Sequence, residues 1–363
     1  MKIGGKNGDF QLGEPSNKED VYGDPCIHPP CESRLNIPKV LSFSVYSLHS
    51  VWIDNDCRAY AVGYNGDGSI LGSLLKQTFK SEKEITFNDK NGKKCKFLSA
   101  VCGWYYTLYL VMGHNGEPNQ LAYNYCNQTP APLFLNLNGR NPTKLFGGHK
   151  VSAAIDTEGS ILIFTEDIFQ NPEKAIEPFQ LPGDLVPIKV GCCDTRIIAL
   201  ASNNEVFELD LSVAEKDRKF QRLMELDRIK IIDISGTFEH AFAVCEDGRV
   251  FCRGLNDFGQ LGIGRGHGKI DEFTEIPIPK KYKIVAAFAG YEHSLFLTES
   301  GMVLACGYNI CGELLLYSEP SENRVYTPSE TSITKDTTFC IAGNCISAVF
   351  NGVAPPPNTP NMK

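Results

Sequence analysis

Apolar and polar positions along the chain recur in a long period. Three segments of 17 residues start at His49, His240 and His293 and end at Asn65, Asn256 and Asn309. Each carries a glycine two residues before its Asn (Gly63, Gly254, Gly307). Weaker copies place Tyr106, Val151, Arg196 and Ile346 at the position of the histidine, giving seven anchors separated by 44 to 57 residues. Within a unit, an apolar, β-branched and aromatic run such as HSLFLTE is followed by a turn pair and a second run such as MVLACG. The turn pairs are Ser300-Gly301, Asp247-Gly248, Glu158-Gly159 and Asn203-Asn204, residues that tolerate the positive φ of a tight hairpin. One hairpin cannot bury both faces. Seven arranged radially can, so the pattern predicts an all-β, seven-bladed propeller.

The chain's beginning repeats the end of a unit. Residues 4–13, GGKNGDFQLG, copy RGLNDFGQLG of the fifth unit, with Asn7 and Gln11 standing for Asn256 and Gln260. The seventh unit lacks this ending. Residues 1–13 are therefore expected to supply its missing strand and remove an open sheet edge.

The pattern Gly-x-x-His-[Ser/Thr/Ala], a hairpin, then Gly-x-Asn-x-x-Gly-Gln-Leu-Gly resembles the regulator of chromosome condensation repeat. It is clearest at residues 237–262 and 290–314, good at 46–72, and keeps only its rhythm over 98–230. The resemblance implies seven four-stranded blades closed by the N-terminal strand, one propeller over residues 1–353. WD repeats are disfavoured because Trp52 and Trp104 are followed by Ile and Tyr. Kelch repeats are disfavoured because only Gly4-Gly5 and Gly147-Gly148 form doublets.

Four segments leave the pattern. Residues 14–38 hold five prolines and read as a loop; residues 73–95 read as a polar connection, part strand. Residues 211–227 place Val213, Phe220, Leu223 and Met224 on one helical face and predict a short amphipathic helix. Residues 354–363 form a Pro-rich tail expected to be disordered.

Composition adds exclusions. Apolar residues make up 42% and charged residues 21%, an ordinary globular balance. A net charge of −8 and the lack of a basic arm argue against nucleic acid as the main ligand. No run of 18 apolar residues and no export signal are seen, so a cytoplasmic protein is expected, with the nucleus as alternative. The 14 cysteines then read mostly as small buried hydrophobes. Residues 66–72 and 264–270 miss the spacing of nucleotide loops. Cys26, His28 and Cys31 offer three donors where zinc takes four, Cys192-Cys193 are adjacent, and the Asn127 sequon stays unused without export. No nucleophile–base constellation is found; no catalytic residue, metal or cofactor is expected.

His49, His240 and His293 recur beside a turn and are expected to satisfy backbone groups there. The residues before each anchor form loop tips that the repeat collects on one face: Ser47-Leu48, Trp104-Tyr105, His149-Lys150, Asp194-Thr195, Phe238-Glu239, Tyr291-Glu292 and Asn344-Cys345. Aromatic rings beside charges are the make-up of a protein-binding hot spot. The expected function is a monomeric protein-interaction module. The candidate binding residues are Trp104, Tyr105, His149, Asp194, Phe238, Glu239, Tyr291 and Glu292. In the exchange factor that the family resemblance brings in, loop tips face a small GTPase. Matching tips implicates His149, Asp194, Glu239 and Glu292 in an alternative role, guanine-nucleotide exchange on a Ran- or Rho-like GTPase.

Overall fold

The computed structural model describes residues 1–7, 18–19, 25–33, 40–46, 48–65, 70, 78–126, 131–266, 268–317 and 322–351. These form seven antiparallel sheets in a ring. The first blade is Val40–Val45, His49–Asp54, Ala59–Tyr64 and Thr78–Ile85. The next five start with innermost strands Phe97–Cys102, Pro142–Gly147, Pro187–Cys192, Ile231–Thr237 and Ile284–Ala289, and the seventh with Thr337–Ala342. The turn pairs behave as expected: Gly159, Asn204, Gly248 and Gly301 all have positive φ.

The seventh blade joins the two ends of the chain. Lys2–Lys6 pairs antiparallel with Ile346–Asn351, Ile3 opposite Ala348. The closing strand is thus shown, while Gln11 lies outside the described residues. The expectation of a loop over residues 14–38 is corrected by Pro25–Glu32, a strand pairing on the other side of Lys2–Lys6. Proline is tolerated in an outer strand, and here the register slips between Ile3 and Gly5, opposite the segment holding Pro29 and Pro30. This strand also carries Cys26, His28 and Cys31; the side chains of Cys26 and His28 are outside the described residues.

A second correction falls in the fourth blade. The segment expected to be a helix is two 3-10 turns, Glu215–Asp217 and Met224–Leu226, around Gln221–Arg222. Those two residues form the blade's outer strand. Phe220 and Leu226 are buried while Met224 is exposed, so pairing with the sheet overrides the helical spacing. In the first blade, the polar connection supplies its strand at Thr78–Ile85. The sequon and the tail lie outside the described residues.

Apolar side chains collect in seven clusters, one at each joint between neighbouring blades. The second strands, such as Tyr106–Val111 and His293–Thr298, are buried along their full length because a blade covers each face. Several cysteines serve here; burial pushes the thiols of Cys102, Cys245 and Cys252 up to about 12. In all seven blades the innermost strand slips register against the second near its start, as between Val40 and Ser42 or Ile231 and Asp233. Such bulges add twist.

The repeated histidines reach the neighbouring blade through Nε2. His49 Nε2 meets Thr107 Oγ1 at 2.8 Å, His240 Nε2 meets Ser294 Oγ at 3.1 Å, and His293 Nε2 meets Ser347 Oγ at 2.9 Å. Tyr106 does the same with Ser152 at 2.6 Å. In every case the hydroxyl belongs to the residue after the next blade's anchor. A Val or Arg at the anchor, as at Val151 and Arg196, replaces this link in the divergent middle.

Two predictions follow from closure and joints. Deleting residues 1–6 removes the strand between Ile346–Asn351 and Pro25–Glu32 and the fully buried Ile3. It should lower the melting temperature by more than about 10 °C in a calorimetric scan, equivalent to several kcal/mol; a truncated chain that melts like the intact one contradicts the closure. Burial holds the His240 and His293 rings down to about 3. Unfolded, they titrate near about 6.5, so below that pH the unfolded chain takes up protons the fold refuses. Each then costs about 2 kcal/mol of stability at pH 5 relative to pH 7 or above. Glu313, raised to about 8 by burial, works oppositely, gaining stability as pH falls toward its unfolded value. The readout is therefore a difference: His293→Gln should flatten the fall in stability between pH 7 and 5 by about 1–2 kcal/mol in urea titrations.

Candidate functional site

The site is built from the loops between innermost and second strands. In three blades a signature glycine, Gly63, Gly254 or Gly307, lies behind the tip. Gly254 and Gly307 have φ of 110° and 109°, and a Cβ there would lie 2.0 Å from Glu239 O and 2.4 Å from Glu292 O. The same tip carbonyls accept the next N–H: Leu255 N to Glu239 O at 3.0 Å, Tyr308 N to Glu292 O at 2.9 Å. The signature asparagines brace the loop beyond: Asn65, Asn256 and Asn309 Oδ1 accept from the N–H groups of Ile70, Leu261 and Leu314 at 2.8–3.0 Å. The repeat residues are thus scaffold for the tips.

The first residues of five tips, Trp104, His149, Asp194, Phe238 and Tyr291, converge. There the rings of Trp104, His149, Phe238 and Tyr291 meet. His149 is central, 4.3 Å from Trp104, 5.2 Å from Phe238 and 5.3 Å from Tyr291 between ring centres. Phe238 stacks on Tyr291 at 4.1 Å. Tyr46, which sequence reasoning missed, packs on His149 at 5.7 Å. It stands one residue ahead of the first tip pair, where most other units carry Gly, and that exception was the available signal. Ser47 lies outside the described residues.

Hydrogen bonds stitch the tips together. His149 Nδ1 donates to Asp194 Oδ2 at 2.6 Å, and Lys150 N donates to Asp194 Oδ1 at 3.2 Å. Trp104 N donates to His149 O, Asp194 N to Phe238 O, and Tyr291 N to Gly343 O. His149 is fully buried beneath this cluster. Around it, Tyr105 stacks on Trp104 and is 42% exposed, and Lys150 Nζ stands 5.8 Å over the Trp104 ring. Glu239 and Glu292 are half-buried at second tip positions; burial raises the Glu292 carboxyl, tempered by Arg324. Of the predicted residues, Trp104, His149, Asp194, Phe238 and Tyr291 come together as one unit, and Tyr105, Glu239 and Glu292 flank it.

Beside Lys150 and Asp194 lies a groove of about 400 Å³ over Val151, Ile168 and Leu211, bordered by the short helix Glu166–Gln170. It opens at the joint whose anchor is Val151 instead of His. Among the described residues, no group of three His, Cys, Asp or Glu side chains is placed to hold a metal.

Comparison with known proteins places this geometry. Sequence profiles described as the Regulator of chromosome condensation (RCC1) repeat match residues 247–297, and also 231–260 and 284–313. The chain therefore carries regulator of chromosome condensation repeats within residues 231–313. Protein RCC1 of Candida albicans is 25% identical over 321 residues, covering 81% of this chain and 64% of that protein. The Secretion-regulating guanine nucleotide exchange factor of Mus musculus is 30% identical over 112 residues, 31% of this chain and 24% of that one. The chain thus spans less than two thirds of the length of these relatives. The crystal structure of Prp20p from Saccharomyces cerevisiae superposes with a TM-score of 0.72 at 17% identity, over 98% of this chain and 91% of that one, which shows the shared propeller fold.

Within this family fold, His149 is the keystone of the tip face. His149→Ala should cost about 2–4 kcal/mol, since it empties the centre of a packed cluster and leaves Asp194 without its ring partner. Trp104 is one of two tryptophans, and the other, Trp52, is buried. A red shift of tryptophan emission in the folded variant is the expected sign that the tips have loosened; an unchanged spectrum and melting point would contradict the keystone role.

Proposed function

We propose that this propeller is a protein-binding module and that its partner docks on the tip face. The observation that carries the reading is the preassembled cluster of Trp104, His149, Asp194, Phe238 and Tyr291, with Tyr105 exposed at its edge. A rigid aromatic patch loses little side-chain entropy on binding, and neighbouring charges add orientation. The relatives support this. The Prp20p study describes binding to Gsp1p and histones, and the mouse relative is named a guanine nucleotide exchange factor.

Exchange on a Ran- or Rho-like small GTPase is the second reading, favoured by those same names. It works through binding energy: a face that prefers the nucleotide-free GTPase loosens the nucleotide by linkage.

Both readings are tested with a panel of such GTPases carrying fluorescent GDP. Exchange predicts faster GDP release that Asp194→Ala with Glu239→Ala reduces by at least about tenfold, a loss of about 1.4 kcal/mol. Binding without acceleration leaves the interaction module. A purified partner bound equally by the wild type, Tyr105→Ala and Trp104→Ala would show that the tip face is the wrong surface.

A further inference from the structure

The groove of about 400 Å³ beside the tip cluster has walls from the third and fourth blades. Its floor is apolar: Val151, Ile168 and Ile176 are buried, and Phe179 and Leu211 are part-exposed. Its rim is acidic. Glu166, Asp167 and Glu177 come from the third blade, Asp194 and Glu215 from the fourth. Three cations, Lys150, Lys174 and Arg218, face these five carboxylates, a formal excess of two negative charges.

The cations are already engaged. Arg218 donates through Nη2 to Leu211 O at 2.9 Å and through Nε to Val213 O at 3.3 Å, and Lys150 Nζ stands 5.8 Å over the Trp104 ring. Lys174 Nζ lies 2.7 Å from Asp167 Oδ2 on its own blade and 3.4 Å from Glu215 Oε1 on the next. An ammonium is thus held between carboxylates of both walls. Glu166 accepts from two neutral donors, Tyr125 Oη at 2.5 Å and Gln170 Nε2 at 2.9 Å. Glu177 is exposed and enters no ion pair among the described residues. The rim therefore keeps negative charge that the chain's own cations do not offset.

An apolar floor under an acidic rim suits a long basic side chain, which lays its stem on apolar surface and keeps its head among charges. Arginine suits it better than lysine, because its planar fork bonds two carboxylate oxygens at once. An acidic segment would meet like charge. The volume falls within the about 300–1,000 Å³ of clefts that enclose ligands. Lys150 and Asp194 belong to both groove and tips, so a protein seated on the tip face lies beside the groove.

We propose that this groove receives an arginine-bearing peptide segment of the protein that docks on the tip face, its aliphatic parts on Val151, Ile168 and Leu211 and its guanidinium among Glu166, Glu177 and Glu215. This deepens the tip-face reading and rests on it for the source of the peptide; capture of the peptide itself is a property of the groove.

The probe is a dye-labelled hexapeptide of alternating arginine and leucine, with a counterpart carrying glutamate for arginine, each titrated into the full chain by fluorescence anisotropy. The arginine peptide should bind with a Kd of about 100 μM and the glutamate peptide at least about tenfold more weakly. Glu177→Lys with Glu215→Lys, both exposed on the rim, should weaken the arginine peptide about tenfold and tighten the glutamate peptide, reversing the preference. Raising salt from about 0.05 M to about 0.5 M should weaken the arginine peptide several-fold. Tyr105→Ala, outside the groove, should leave peptide binding unchanged. The proposal is overturned by no binding of the arginine peptide up to about 2 mM, well above the expected Kd. Equal binding of both peptides overturns it too, as does a double variant that melts like the wild type and keeps the original preference. Loss of peptide binding in Tyr105→Ala would put the peptide on the tip cluster and also overturn it. The first three results leave the tip-face reading intact, since that reading is decided by Tyr105→Ala and Trp104→Ala with a whole partner protein.

Discussion

The joint between neighbouring blades is the interaction on which the rest depends. No blade of this chain could exist alone, because its second strand is apolar on both faces and needs a sheet on each side. The joint combines an interdigitated apolar cluster with a directional bond, the anchor side chain reaching a hydroxyl one residue past the next anchor. The cluster supplies most of the stabilisation by burial. The hydrogen bond adds less energy but sets the angle and height at which the next sheet sits. A ring of such joints has to close, and the chain closes it by building the seventh blade from strands of both its ends.

Function grows out of the same geometry. Fixing the height of each blade fixes the height of its tip, so the first residues of neighbouring tips are brought within reach of one another. Where that residue is small and polar a channel mouth would stay open; here it is Trp, His, Asp, Phe or Tyr in five blades, and the side chains meet over the axis. The signature glycine contributes by letting a tip carbonyl sit where a Cβ would be. The face is thereby assembled before any partner arrives.

The divergent middle shows how much variation the joint tolerates. Between the third and fourth blades, Val151 cannot make the repeated bond, and between the fourth and fifth, Arg196 faces no hydroxyl at that position. Other contacts take over. Lys189 pairs with the fully buried Asp233, and Lys144 reaches Ile188 O at 3.3 Å. At the first of these joints the freed space is the groove beside Asp194. Family likeness and local individuality are thus located in different places: the outer repeats keep the joint, and the middle spends its divergence on surface shape.

The amino-acid sequence by itself determined the number of blades, the hairpins, the closure by the N-terminus and the list of tip residues, because each is written in a local pattern repeated at regular spacing. It misassigned two segments for a physical reason. Pro25–Glu32, and Gln221–Arg222 within residues 211–227, are outer strands, whose pairing is set by a neighbouring strand rather than by their own periodicity. It also could not assign the histidines, since a polar residue beside a turn looks the same whether it serves its own backbone or a hydroxyl 54 residues away. Only the tertiary structure decided which tip residues touch, that His149 is buried at the centre, and that Tyr46 belongs with it. Those facts depend on side chains from five or six blades converging on one axis, and convergence of that kind leaves no trace in the spacing of residues along the chain.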